Sequence, residues 1–269
     1  MSVKLYYRKY GSGPTLIILH GLYGSSDNWI SIARKLENHY TVLLPDLRNH
    51  GASPHSSTHS FAEMVDDLAQ FYEETGTENA FLIGHSMGGK VAMRFAASYP
   101  EKVNRLMIID IAPKNYLAGN NSSQHIRQHE RILELLQDPD LSHFHTRKEL
   151  DDYFSLKVKE EPVRLFLLKN IHRNPDGIFE WKINAAVLRD SFRPMVSEVD
   201  WSWFEGLRPI MAYPVTFVRG LNSEYVSDAD WKDILKIYPE AKLIDVPDAG
   251  HWLHAEQPDK LIAAILEAV

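Results

Sequence analysis

Residues 80–100 read AFLIGHSMGGKVAMRFAASYP, and no other stretch constrains the architecture as tightly. Ala80 to Ile83 is a short apolar, strand-like run, and Met87 to Ser98 carries helical apolar spacing, so Gly84-His85-Ser86-Met87-Gly88 stands at a strand-to-helix turn. A serine at such a turn is strained and exposed at its strand's carboxyl end, while glycines two residues to either side let strand and helix approach closely. The setting marks Ser86 as a candidate nucleophile, against the plainer reading of a glycine-rich helix start.

On either side of it, apolar runs bounded by turn residues recur at Thr15 to Leu19, Thr41 to Leu44, Leu106 to Ile109, Val215 to Val218 and Leu243 to Val246. Amphipathic stretches at Asn28 to Leu36, Phe61 to Glu74, Asp228 to Ile237 and Pro258 to Ala268 lie between them. The alternation predicts an α/β fold, a mostly parallel sheet covered by helices on both faces. Val3 to Tyr10 instead alternates polar and apolar residues, as an antiparallel edge strand does. The rhythm breaks between Pro113 and Tyr213, where helical spacing returns only at Ile126 to Leu136 and Val163 to Ile171. About a hundred residues is too long for a simple loop. The expected organisation is a core of residues 1–112 and 214–269 carrying a helical insertion, residues 113–213.

Composition narrows the chemistry. The chain has 269 residues, 44% of them hydrophobic and 24% charged, as one large folded domain would. A net charge of -7 with no block of Lys and Arg argues against nucleic acid as a partner. With no cysteine, disulfides, thiolate metal sites and a cysteine nucleophile are all excluded. The opening MSVKLYYRKYGSGP lacks a signal-like apolar stretch, and no apolar run approaches the ~20 residues of a membrane span. A cytoplasmic protein is expected, its oligomeric state open.

A serine nucleophile needs an oxyanion site, a base and an acid. In HGLYGSSDNW, residues 20–29, His20 and Gly21 end a strand and begin a glycine-bearing loop near the serine turn. The amides of Leu22 and Met87 are the natural oxyanion donors, the latter at a helix amino terminus, though the loop could also be only a strand-ending turn. Among 13 histidines, His251 in VPDAGHWLHAEQPD follows the last strand and precedes the last helix, where a loop can carry it over the sheet's carboxyl edge. His254 competes but would point along that helix. Two carboxylates are in place to fix the imidazole: Asp110, ending the strand of RLMIIDIAP, and Glu224 in VRGLNSEYV. Asp110 has the better direction, from a strand end at the sheet's carboxyl edge.

Other features have plain readings. His125 and His129, four apart in HIRQHE, could face a zinc ion together, but no third ligand is evident and a solvated helix face fits better, so no metal is expected. Tyr116, Phe179, Trp181, Trp201 and Trp203 could line an acyl pocket or seal the insertion onto the sheet.

The segments HGLYGSSDNW, DLRNHGASP, GHSMGGKVAM, IIDIAP, RGLNSEYVSD and AGHWLHAEQPD follow one another here in an order and spacing that resembles the α/β-hydrolase superfamily over the whole chain, and more closely the YbfF-type bacterial esterases and their abhydrolase-domain relatives. The resemblance implies an eight-stranded α/β-hydrolase sheet with a helical cap between strands six and seven. It implies hydrolysis of acyl esters or thioesters, small-molecule substrates, through a Ser-His-Asp triad and an acyl-enzyme, without a cofactor. In most such enzymes the acid lies about three residues beyond a glycine after the seventh strand. That position is Ser223 here, which cannot hold a charge. The YbfF-type pattern implies Asp110 as the acid with Ser223 supporting it and Glu224 in reserve. Two alternatives stand: a triad-bearing lyase resembling the menaquinone-pathway synthase, with Arg127, Arg131 and Arg173 as a carboxylate pocket, and a small-molecule receptor with a dormant triad.

Overall fold

The computed structural model describes residues 1–117, 124–137, 140–197 and 201–268, with Gln124, His125, Trp201 and Ser202 described by their backbone alone. The main sheet takes β1 (Tyr7–Tyr10), β2 (Thr15–Leu19), β3 (Thr41–Pro45), β4 (Ala80–His85), β5 (Val103–Ile109), β8 (Val215–Gly220) and β9 (Lys242–Val246), in the order β1-β3-β2-β4-β5-β8-β9. The remaining two strands, β6 (Ile171–Arg173) and β7 (Phe179–Trp181), form a separate antiparallel hairpin. All neighbours in the main sheet run parallel except β1, antiparallel to β3 at the edge.

The side-chain period of two sorts strand residues to opposite faces. Ile17, Leu19, Leu82, Leu106 and Ile108 join one apolar cluster, with helices α2 (Phe61–Thr75) and α3 (Met87–Ser98). Leu16, Ile18, Ile83, Met107 and Ile109 join the other, with α1 (Ile30–Leu36) and α10 (Pro258–Glu267). Strands buried on both faces need continuous apolar runs, which is why they were legible. Among the described residues the sheet has seven strands where eight were expected, and the insertion follows the fifth of them, not the sixth. The opening run pairs only from Tyr7, because Val3 donates its amide to Asp67 Oδ1 (2.6 Å) and Tyr6 to Ser53 Oγ (2.9 Å) instead of to a strand.

Between β5 and β8 lie α4 (Gln124–Gln137), α5 (Arg147–Phe154), α6 (Glu161–Leu168), the hairpin, and α7 (Ala185–Ser197). Ile171, read from sequence as the end of a helix, opens β6, since the chain leaves α6 at Leu168 and turns through Asn170. That turn is anchored: Asn170 Nδ2 donates to the Tyr23 carbonyl at 2.6 Å. Asn184 is a second tie, its amide donating to Asn49 O (3.0 Å) and its side chain to Ser56 O (3.1 Å). Among the described residues the remaining α-helices are α8 (Asp228–Ile237) and the one-turn α9 (Leu253–Glu256). Among the described residues, no helix is long and apolar enough to cross a membrane.

Candidate active site

Ser86 follows β4 with φ 53° and ψ -119°, a conformation costing a non-glycine residue about 1–3 kcal/mol. The glycines make that turn possible. A Cβ on Gly84 would run into the Gly88 carbonyl, and one on Gly88 into the carbonyls of Leu19 and His20. Asp110, just after the neighbouring β5, repeats the device with φ 51°. Ser86 donates its amide to Ile109 O (3.1 Å) and Asp110 to Val218 O (2.8 Å), so the two strained residues sit side by side over the sheet's carboxyl edge.

His251 arrives from the loop between β9 and α9. That loop can touch the end of β8 because Gly220 lacks a side chain where a Cβ would meet the carbonyls of Ala249 and Gly250. The imidazole donates from Nδ1 to Asp110 Oδ2 at 2.8 Å and accepts the Ser86 hydroxyl on Nε2 at 2.9 Å. Asp110 is fully buried; besides His251 it accepts the Ser223 hydroxyl and the Gly220 amide (3.2 Å). Donors on both oxygens offset the cost of burying the charge. Glu224 is exposed, and neither hydrogen bond of the His251 ring goes to it.

Other imidazoles crowd the site in neutral form. His85 Nε2 donates to the His251 carbonyl at 2.7 Å, and burial, helped by His251 and His254 nearby, pushes its pKa well below the ordinary value. Burial lowers His254 to about 3, with His251 and Lys169 adding to the effect, and the ring stacks on Trp29 at 4.7 Å without reaching Ser86. His20 donates from Nδ1 to Gly21 O (2.9 Å) and accepts the Leu47 amide on Nε2 (2.9 Å), holding the following loop in place. Within that loop Tyr23 donates its amide to His50 Nε2 (3.3 Å) and Gly24 to Gly21 O (2.9 Å). Among the described residues, the Leu22 and Met87 amides have no acceptor, and both residues border the cavity beside Ser86.

The aromatic expectations divide. Tyr116 borders that cavity, its hydroxyl donating to Tyr225 O at 2.9 Å. Trp181 and Trp203 are not among the residues bordering the two cavities at Ser86, so of the two readings the pocket-lining one finds no support for them and the sealing one is left. Trp181 stands on the outer hairpin stacked on Phe154 (5.9 Å), and Trp203 packs edge-on against Phe61 (5.5 Å), one layer behind the cavity wall. The side chain of Trp201 lies outside the described residues, as does that of His125. His129 Nε2 pairs with the Tyr225 hydroxyl at 2.9 Å. Arg127, Arg131 and Arg173 are exposed and border neither cavity at Ser86, so they build no carboxylate pocket there.

Two contributors escaped sequence reading. Tyr225 stacks face to face on His251, and Phe166 of α6 meets Trp252 at 6.2 Å beside the site. Tyr225 was within reach, two residues beyond Ser223. Phe166 belongs to a helix whose docking no local pattern encodes.

A family model described as the alpha/beta hydrolase fold matches residues 14–258. The chain is similar to esterase YbfF of Escherichia coli, 35% identical over 250 residues that cover 93% of this chain and 91% of that protein. It is similar also to the sn-1-specific diacylglycerol lipase ABHD11 of Danio rerio, 35% identical over 259 residues, 95% of this chain and 78% of that one. Among solved structures, a marine microorganism esterase superposes with a TM-score of 0.92 and 43% identity, covering all of both chains.

Proposed function

The chain belongs to the α/β-hydrolase family as a carboxylesterase-type hydrolase, and on that premise we propose that it cleaves carboxylic esters of acyl groups through Ser86, His251 and Asp110 by way of an acyl-enzyme. The observation that carries this reading is the hydrogen-bonded line from the Ser86 hydroxyl through His251 to Asp110, 2.9 and 2.8 Å long. Ser86 Oγ attacks the acyl carbonyl as its proton passes to His251 Nε2, and Asp110 offsets the imidazolium that forms. The Leu22 and Met87 amides hold the oxyanion. Collapse breaks the bond to the alcohol, which leaves with the proton from Nε2. Water, deprotonated by the same nitrogen, then releases the acid and restores the serine. Ser223 keeps the Asp110 carboxylate in place.

Thioesters fit the same steps. Residues 113–213 act as a helical cap on the core of residues 1–112 and 214–269, since Ile126 and His129 of α4, Phe166 of α6 and Phe192 of α7 border the cavities at Ser86. Quantifying acid and alcohol released from a panel of short esters tests the proposal. Equimolar products at many turnovers support it; stoichiometric binding with no turnover overturns it.

A further inference from the structure

Two cavities meet at Ser86, and they differ in what they border. One, of about 50 Å³, is bounded by Met87 and by Phe61, Ile111, Ile126, Phe192 and Met195; His251 is not in its wall. The other, of about 60 Å³, includes His251 and Trp252. This second cavity shares Asn28, Gln128, Phe166, Trp252 and His254 with an outer groove of about 670 Å³. The groove carries Ile32, Val163, Leu165, Pro258 and Ile262 along its sides, and Leu165 is 50% exposed.

Proton delivery assigns these spaces. The leaving oxygen must receive its proton from His251 Nε2, so the alcohol half of the ester has to extend into the cavity that His251 borders. The acyl half, its carbonyl oxygen held by Leu22 and Met87, is left with the cavity that Met87 borders. A water-sized group needs roughly 10–15 Å³, so the Met87 side admits an acyl tail of only about three to five atoms. The alcohol side shares its wall with a groove more than ten times larger, lined by those apolar side chains together with Lys35, Glu160, Lys169 and Glu256, and the apolar part of that lining favours hydrocarbon.

We propose that the substrate class is esters of short acids with long or bulky apolar alcohols, the acid seated between α3 and α7 and the alcohol in the groove between α6 and α10. The inference rests on the ester-hydrolase reading given above and names which half of the substrate is large.

The isomers octyl acetate and ethyl octanoate have the same atoms and nearly the same hydrophobicity, with the long chain on opposite sides of the ester. With the full chain, octyl acetate should be hydrolysed with a kcat/KM roughly tenfold or more above that of ethyl octanoate. Phe192→Ala, which enlarges the acyl side, should narrow that ratio by raising the octanoate rate. Leu165→Asp, at an exposed groove position, should narrow it by lowering the octyl acetate rate. Equal rates for the isomers, or preference for ethyl octanoate, overturn the assignment, and so does an unchanged ratio in both variants. Labelling of Ser86 by a fluorophosphonate separates the two levels: without labelling the hydrolase reading falls and takes the assignment with it, whereas a labelled enzyme with the reverse preference overturns the assignment alone.

Discussion

The phenol ring of Tyr225 lies face to face on the imidazole of His251, with centroids 3.7 Å apart and planes 13° from parallel. Neutral aromatic pairs prefer offset or edge-on arrangements, but a cation over a π face is attracted to it. The stack sets an aromatic face against the ring that takes the proton from Ser86 in the proposed reaction. The Tyr225 hydroxyl reaches His129 of α4 at 2.9 Å, so the insertion touches the histidine through one side chain.

Tyr225→Phe keeps the stack and loses the hydroxyl, whereas Tyr225→Leu loses the ring. A cation–π contribution of about 1–2 kcal/mol predicts roughly a 5- to 30-fold fall in kcat for the leucine variant, with the phenylalanine variant close to wild type. Steady-state kinetics on one ester decides. Equal losses in both variants would place the effect in the hydroxyl and not in the stack.

The acid is tested by pairs. Asp110→Asn should lose about 10³ to 10⁴ in kcat, because the amide presents a donor to the wrong imidazole tautomer and no charge. Glu224→Gln should stay within about threefold of wild type, as a surface change does. Ser223→Ala should fall between them, near tenfold, for one hydrogen bond to a charged oxygen. The reverse order of Asp110 and Glu224 would move the acid to residue 224.

Much of this arrangement was legible because strain and close approach demand particular residues. Ser86 could be read from its flanking glycines and its place between strand and helix. Asp110 could be read from the end of an apolar strand, because the sheet's parallel order brings β5 next to β4. The insertion was harder. Its hairpin, Ile171–Arg173 with Phe179–Trp181, has three-residue strands too short for a period-two signal, and Trp181 could not be placed before the stack on Phe154 was known. The seven runs read from the residues are the seven strands of the sheet, the eighth having been implied by the resemblance alone; what the alternation at Val3 to Tyr10 did not say is where pairing starts, since the Val3 and Tyr6 amides go to the side chains of Asp67 and Ser53.

Folding makes its own demand on the DLRNHGASP loop. Arg48, fully buried, binds Asp67 through two hydrogen bonds, Nε to Oδ2 at 2.6 Å and Nη2 to Oδ1 at 2.8 Å. Without Asp67 the buried guanidinium loses its two-point partner and keeps as ionic partner the longer contact from Nη1 to Glu63 Oε1 at 3.3 Å. Asp67→Ala should therefore cost about 3–5 kcal/mol in urea unfolding. A loss below about 1 kcal/mol would mean that water reaches the guanidinium.

Acid should weaken the fold through its buried imidazoles. Burial lowers His20, His50, His59, His85 and His254 from the ordinary 6.5, His59 and His254 to about 3. Below pH 6.5 the unfolded chain takes up protons that the folded chain refuses, so stability falls with pH, by up to about 1.4 kcal/mol per pH unit for each histidine. The melting temperature should drop progressively from pH 6.5 to 5. A flat profile across that interval contradicts the neutral, buried state of these rings.

Intact mass after incubation with a fluorophosphonate, followed by peptide mapping, bears on the proposed nucleophile without any assumption about substrate. One adduct per chain is expected, on the peptide containing Ser86, with none on the Ser86→Ala variant and with ester turnover in that variant reduced by roughly 10⁴-fold or more. An unmodified wild-type chain, or an adduct that persists in Ser86→Ala, would contradict a catalytic role for Ser86.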